Sequence, residues 1–407
     1  MPHRSGSLES LRELNRLRVV EALRRHGTLS RADIARTTGL SRSTISTLVA
    51  DLHRRGFVAE GEVEGSGSSR SSTVGRPPVM LRLDPPAGIA VGIDFDHTRV
   101  RVVVSDLSRT VLSERVAELD VDHDAARALE VSTELVHRAL DESGFCADLV
   151  LAIGVALPGP VDQARRRLHD TEILEDWTGV DPAAVLGERL GAPVHIDNDA
   201  NLGALAEVTL GAGRSAGTAV FVQLSSGVGA GLIVDGRPFR GASGVAGEIG
   251  HVTVASPGQL CRCGRRGCLE TLVSGPAIVE QLRARRGELL AVPDIIGLAH
   301  DGDADCRAVI AEAGRRVGAV VADVCNVLNP DTVVIGGELS AAGDLLLGPL
   351  RAALVGNALP AITRELVVVA GELGDRANSL GALALAIAHS EQAVAARIRT
   401  SGPGRTP

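Results

Sequence analysis

His251, Cys261, Cys263 and Cys268 stand within eighteen residues, in "GEIGHVTVASPGQLCRCGRRGCLE". One imidazole and three thiols at that spacing provide the soft and borderline donors that zinc gathers into a tetrahedron. A closed Cys3His set leaves no open coordination position, so the expected metal is structural. Gly264 and Gly267 let the chain fold tightly around such an ion. The competing reading, a free or redox-active cysteine cluster, is disfavoured by a histidine at this distance.

Such a site needs a body to hold it. From Gly88 onward, Val/Ala/Gly-rich strands alternate with amphipathic helices. "IAVGIDFD", "TRVRVVVSDL" and "VLSERVAEL" read as three successive strands, and "DLVLAIGVALPGPVD" as a buried strand ending in a Pro-Gly turn. "GTAVFVQLSSGVGAGLIVDG" opens a second set of strands, and "PDTVVIGGEL" comes late in the chain. Two such runs imply a two-lobed α/β body with its ligand in the cleft. At 407 residues the chain has room for two or three domains. It has no apolar run of membrane-spanning length, and Met1 to Ser10 is polar, so a soluble cytoplasmic protein with no membrane partner is expected. Three of six cysteines crowd the metal segment, which suits a reduced compartment better than a disulfide framework. Every one of the 42 basic residues is arginine, which excludes catalysis by lysine, and with no Tyr and one Trp little ligand stacking is available.

Charge separates the chain into two parts. Residues 1 to 82 carry fourteen Arg against eight Asp and Glu, a balance of +6, leaving −14 for the rest of a chain of net charge −8. A basic head on an acidic body suggests that the head alone meets a polyanion. In that head Leu11, Leu14, Leu17, Val20 and Leu23 form an apolar helical stripe ending near Gly27. In "LSRADIARTTGLSRSTISTLVADLHRRGFV", Ser30 and Asp33 read as a capping box for a short helix, Gly39 as the turn, and Ser41 as the cap of a second helix to about Arg55. Ala35 at the close approach, with Ile45 and Leu48 packing back, completes a helix-turn-helix. Arg42, Ser43, Thr44, Ser46 and Thr47 then face outward, where they can reach base edges and phosphates in a major groove. "FVAEGEVEG" and "PVMLRLDP" read as the two strands of a wing. Arg76, in Gly-Arg-Pro within the Gly/Ser-rich loop between them, resembles the core of an AT-hook that enters a minor groove, and the same loop reads equally as a plain solvated linker.

From about Gly92 to His389 the chain resembles the ROK family (repressors, open reading frames and sugar kinases). The resemblance rests on "LPGPVD", Trp177 followed by "HIDNDANLGALAE", "LSSGVGAGLIVDGRPFRGASGVAGEIGH", the cysteine segment and "VIGGEL", in that order. It implies an N-terminal winged helix-turn-helix, 1–83, ahead of an actin/hexokinase-like α/β body, 84–396; the end of the chain, with "SGPGRTP", reads as a disordered tail, 397–407. It also assigns roles. Asn198 and Asp199 match the family's sugar-contacting Asn and catalytic Asp, and Glu248, His251 and Glu270 match its other hydroxyl-binding residues. His251 would then turn one ring nitrogen to zinc and the other to a sugar hydroxyl. Carboxylates and an amide in fork geometry are what vicinal hydroxyls require.

The family's kinases open with Asp-x-Gly-Gly-Thr-Lys. In "GIDFDHTRV", Asp94 is retained, while Phe95 and Asp96 stand for the glycines, His97 for the Thr and Thr98 for the Lys. Phe95 would crowd a phosphate, and Asp96 would repel it by about 1 to 4 kcal/mol. No enzymatic activity is therefore expected, Asp199 being catalytic only in the alternative of an ATP-dependent sugar kinase. The expected function is sugar-responsive transcriptional regulation, as a repressor. It implies a homodimer or homotetramer on a pseudo-palindromic operator, with Trp177 near enough to the pocket to report sugar binding.

Overall fold

A computed structural model describes residues 8–61, 79–84, 87–162, 164, 166–168 and 174–400. Arg76 lies outside the described residues. The head comprises α1 (Leu8–His26), β1 (Leu29–Ser30), α2 (Arg31–Thr38), α3 (Arg42–Arg54), β2 (Val58–Gly61) and β3 (Met80–Leu83). Ser30 caps α2 through a full capping box with Asp33, Gly39 closes the helix, and the Ser41 hydroxyl caps α3 by accepting from the Thr44 amide at 3.1 Å. β2 and β1 flank β3 in an antiparallel sheet, which is the wing. The apolar stripe of α1 is covered only in its second half. Val19, Val20 and Leu23 are buried, whereas Leu11 and Leu14 are 55% and 49% exposed.

The first lobe consists of β4 (Ile89–Asp96), β5 (Arg99–Asp106), β6 (Val111–Glu118), α4 (Ala125–Ser143), β7 (Val150–Leu157), the small hairpin β8 (Val161–Asp162) and β9 (Arg167–Leu168), α5 (Pro182–Leu190) and β10 (Val194–Asn198). Next, α6 (Asp199–Thr209) leads to β11 (Ala219–Leu224), β12 (Val228–Val234) and β13 (Arg237–Pro238). Helices α7 (Glu270–Val273), α8 (Gly275–Arg286), α9 (Val292–His300) and α10 (Ala304–Leu328) precede β14 (Thr332–Gly336). The chain continues through α11 (Asp344–Asn357), α12 (Pro360–Thr363), β15 (Val367–Ala370), α13 (Ala377–His389) and α14 (Glu391–Thr400).

The two five-stranded sheets run β10-β7-β4-β5-β6 and β13-β12-β11-β14-β15. In each, three strands form an antiparallel meander, a fourth pairs parallel with the first of them, and a fifth pairs parallel with the fourth. The same order occurs twice, so the cleft between the sheets is the seam of a duplicated architecture. α13 packs on β4 and β7 and against α6, so it touches the elements that line that seam. Gly154 makes this packing possible, because a Cβ there would stand 1.8 Å from the Ala382 carbonyl oxygen.

The C-terminal boundary differs from the expected one. A tail was expected from Arg397, but α14 continues to Thr400 and Ile398 is 0% exposed. Ile398 and Val394 belong to the core of the head together with Val19, Leu23, Leu52 and Leu81. Burial of these two apolar side chains against the head overrides the polar composition that reads as a tail.

Candidate functional site

Asn198, Asp199, Glu248, His251 and Glu270 all line one cleft between the lobes. Asn198 ends β10 and caps α6: its side-chain oxygen accepts from the Asn201 amide at 3.1 Å, and its Nδ2 donates to the Gly159 carbonyl at 3.1 Å. Asp199 follows at the helix start. Its Oδ1 accepts from its neighbour's amide, Ala200, at 2.8 Å, and its Oδ2 accepts from Gln223 Nε2 at 2.8 Å. Burial pushes the Asp199 carboxyl up to about 6. Burial also pushes Glu248 up, to about 7, with the charges of Asp199 and Glu270 adding to the effect.

The turn carrying Glu248 packs directly on β12. Gly247 sits at φ +97°, and a Cβ there would stand 1.9 Å from the Ala230 carbonyl oxygen. That constraint fixes Glu248 and His251 over the cleft. Glu270, at the start of α7, accepts from the Val228 amide at 3.1 Å and from Arg262 Nε at 2.9 Å.

The four donors His251, Cys261, Cys263 and Cys268 lie within 4.8 Å of one another. Cys263 Sγ is 3.6 Å from Cys268 Sγ, and Cys261 Sγ is 3.5 Å from His251 Nδ1. A zinc tetrahedron with about 2.3 Å Zn–S and 2.0 Å Zn–N bonds sets S···S near 3.8 Å and S···N near 3.5 Å. A disulfide would instead need about 2.05 Å. The donor set therefore fits a metal ion and not a disulfide. His251 Nδ1 faces the thiols, while its Nε2 stands 3.9 Å from Glu248 Oε2.

The first loop departs from its expected reading. Asp96 pairs with Arg99 in the β4–β5 ladder, so only His97 and Thr98 form the turn. Phe95 is still in the strand and does not crowd the cleft. It is 0% exposed, with its ring edge-on to Trp177 at 5.2 Å. Asp96 and His97 do line the cleft. Asp96 is 3.2 Å from Arg99 Nε, and His97 Nδ1 contacts Asp122 at 2.7 Å. Burial opposes a charge on His97, but Asp122 outweighs it and raises the imidazole above its ordinary value.

Trp177 does not line the cleft: it is 1% exposed, and its Nε1 donates to the Val121 carbonyl at 2.8 Å. It can report packing of the first lobe, but not contact with a ligand. Sequence reasoning also missed Gln223 and Arg262. Arg262 had a local signal, because a residue between two clustered thiols must turn its side chain away from them.

In the head, Arg42, Ser43, Ser46 and Thr47 are exposed on α3 and Thr44 is half-buried, while Ile45, Leu48, Val49 and Leu52 fill the core behind them. The hydroxyls of Ser46 and Thr47 donate to the carbonyls of Arg42 and Ser43, bonds that solvent-side partners can replace. The head is joined to the body by Arg24, whose Nη1 donates to the Ile387 carbonyl at 2.6 Å, and by Arg55, whose Nη1 donates to the Ile398 carbonyl at 2.8 Å.

Residues 90–389 match the ROK family. The chain belongs to that family. Residues 13–67 match the MarR family, which places a winged helix-turn-helix ahead of the ROK body. The xylose repressor of Caldicellulosiruptor bescii is 29% identical over 395 residues, covering 94% of this chain and 97% of that one. The DNA-binding transcriptional dual regulator NagC of Escherichia coli K12 is 30% identical over 397 residues, covering 93% of this chain and 94% of that one. Among solved structures, a ROK family transcriptional regulator, described as a homolog of E. coli MLC protein, superposes with TM-score 0.74 at 25% identity. The match covers 95% of this chain and 98% of that one. A ROK family glucokinase from Streptomyces griseus, in complex with glucose and AMPPNP, gives TM-score 0.66 at 28% identity over 74% of this chain and 99% of its own. The glucokinase match spans about the share of the chain that the ROK body occupies. The regulator match includes the head as well. Among the described residues no helix is long and apolar enough to cross a membrane.

Proposed function

We propose that this ROK protein is a sugar-responsive, DNA-binding transcriptional repressor of carbohydrate-metabolism genes. One observation carries the reading. A helix-turn-helix with an exposed Arg/Ser/Thr face is packed on a body with a polar cleft: α6 and β10 contact α13, α13 leads into α14, and α14 joins the core of the head together with Leu107 and Leu151 of the first lobe. Asn198, Asp199, Glu248 and Glu270 hold the sugar hydroxyls, with His251 Nε2 as a further partner. Arg42, Ser43, Thr44, Ser46 and Thr47 read the major groove, and Arg76 supplies a minor-groove contact. Two copies would place two α3 helices about 34 Å apart on a pseudo-palindromic site in the cytoplasm. A sugar shifts DNA affinity only by its differential affinity for the two arrangements of the lobes.

Zinc is the metal that the His251, Cys261, Cys263 and Cys268 donors suit, and it would supply a rigid cross-link with no chemistry of its own. Burial and the neighbouring thiols push Cys268 up to about 12, so thiolates at this position call for a dication. Held from the Nδ1 side, the His251 ring would keep Nε2 aimed into the cleft.

A second reading, an ATP-dependent sugar kinase, draws on Asp199, a buried carboxyl raised to about 6 and oriented by Gln223, as a general base should be. Against it, the last residue of β4, Asp96, puts a carboxylate in the cleft, where it would repel a phosphate. The deciding experiment selects a binding site from random duplexes, then measures fluorescence anisotropy with a panel of pentoses, hexoses and N-acetylhexosamines. Release of the duplex by one sugar is the expected result. Absence of any selected duplex, with ADP release on adding ATP·Mg and a sugar, would replace the repressor by the kinase.

A further inference from the structure

Arg262 stands between two of the metal donors, Cys261 and Cys263, and its side chain leaves them for the cleft, which it lines. Its Nε donates to Glu270 Oε1 at 2.9 Å, and its Nη2 donates to the Ser226 carbonyl at 3.4 Å, in the turn between β11 and β12. The same Nη2 lies 3.5 Å from where a Cβ on Gly227 would stand, so the turn meets the guanidinium closely because residue 227 has no side chain. Glu270 is caught from the other side by the Val228 amide, which donates to its Oε2 at 3.1 Å.

Each carboxylate oxygen of Glu270 is thus oriented by one protein donor and keeps a lone pair for a ligand hydroxyl. Glu270 is 8% exposed and close enough to Glu248 for their charges to interact. A buried charge in such a place is costly without a cation, and Arg262 supplies one. A carboxylate paired in this way accepts hydrogen bonds and donates none, so it distinguishes a hydroxyl from a methylene at the point it faces. Both ends of the pair are also tied to the metal donors. Arg262 is flanked by Cys261 and Cys263, Glu270 follows Cys268 by two residues, and the Cys261 amide closes the intervening turn on the Arg265 carbonyl at 2.7 Å. An ion on those donors would therefore fix the backbone on both sides of the ion pair.

We propose that Arg262 is a positioning residue of the sugar site: its guanidinium holds the Glu270 carboxylate where it accepts from one sugar hydroxyl, and so selects sugars that carry that hydroxyl. The inference rests on the reading of the cleft as a sugar site and adds the residue that orients one of its carboxylates. It also separates two roles that an ion pair at this place could have. A pair that only braced the cysteine loop would, when broken, weaken every sugar alike. A pair that aims Glu270 would, when broken, weaken chiefly the sugars that use the hydroxyl Glu270 accepts from, and would leave the selection made by Asn198, Asp199 and Glu248 in place.

The test uses the full-length, metal-loaded protein. Calorimetry titrates D-xylose, D-glucose and N-acetyl-D-glucosamine, then the singly deoxygenated analogues of the tightest binder, with the metal content of every variant measured alongside. Glu270→Gln identifies the hydroxyl concerned, as the one whose removal costs that variant least. In Arg262→Met the preference for the parent sugar over the analogue lacking this hydroxyl should shrink about tenfold or more, while preferences at the other hydroxyls stay within about twofold of the wild type. Arg262→Lys, which keeps the charge but not the planar fork, should recover part of that preference. A uniform loss across the parent and all analogues at full metal content would make Arg262 a brace for the loop alone, and unchanged selectivity in both variants would leave it no part in sugar choice; either result overturns the proposal. A wild-type protein that binds none of the three sugars would instead refute the sugar reading of the cleft, and the inference with it.

Discussion

Replacing Ile398 by Ala tests whether α14 carries the signal from the cleft to the head. Ile398 is 0% exposed and packs in the core of the head, while its backbone carbonyl accepts from Arg55. The substitution removes three carbons and leaves the Arg55 hydrogen bond in place, so it isolates the packing contribution. Removing that much buried side chain costs about 2 to 5 kcal/mol, the spread reflecting how far the site can collapse. That energy is lost from the docking of α14 on the head, so the head should open locally before the body does. Ile278→Ala is the control, since Ile278 is equally buried but lies in the second lobe's core, away from the head. Hydrogen exchange of α1 to α3 and duplex anisotropy with and without sugar form the assay. Ile398→Ala should speed exchange throughout the head and leave sugar affinity unchanged. It should also reduce the sugar-dependent change in DNA affinity, typically about 5- to 150-fold for such couplings, toward none. Ile278→Ala should keep that ratio. If Ile398→Ala kept both the full ratio and the head's protection, the signal would have to travel by another route.

Removing the metal with a chelator, or substituting Cys268→Ser, should abolish the sugar response at concentrations that leave DNA binding intact, which anisotropy can follow. Glu248→Gln should remove sugar binding yet stabilise the fold at alkaline pH. Glu248 and Asp199 are raised by burial to about 7 and about 6. The unfolded chain therefore ionises them first, and stability is lost as pH rises from the ordinary carboxylate range through those values. Thermal melts should show Glu248→Gln above the wild type at about pH 8 and equal to it at about pH 4, where both states are protonated. Equal melting at both pH values would refute the buried-acid argument. Arg42→Ala should weaken DNA binding and lower the salt slope by about one per head if its guanidinium contacts a phosphate. An unchanged slope with relaxed base preference would make it a base-reading residue instead.

What was legible in the sequence is what is local. The capping box at Ser30 and Asp33, the turn at Gly39 and the Cys3His spacing each lie within a few residues, and the structure places them as the spacing predicts. The polar residues of the cleft were legible only because motif order assigned them, since Asn198, Glu248 and Glu270 come from three separate segments. Phe95 shows where local reading fails. Whether a residue lies in a turn or in the adjoining strand depends on cross-strand register, and the pairing of Asp96 with Arg99 moves Phe95 onto the core face. Gln223 escaped notice because its partner, Asp199, reaches it only after two sheets assemble. The same is true of His195 and His389, which lie in unrelated stretches of sequence and meet only because α13 crosses the first sheet at Gly154. The polar end of the chain misled for a related reason. Val394 and Ile398 look like stray apolar residues in a tail until the head offers them a core. The elements least visible in the sequence are therefore the ones that join the sites, because a connection between domains is written in long-range packing and not in any local pattern.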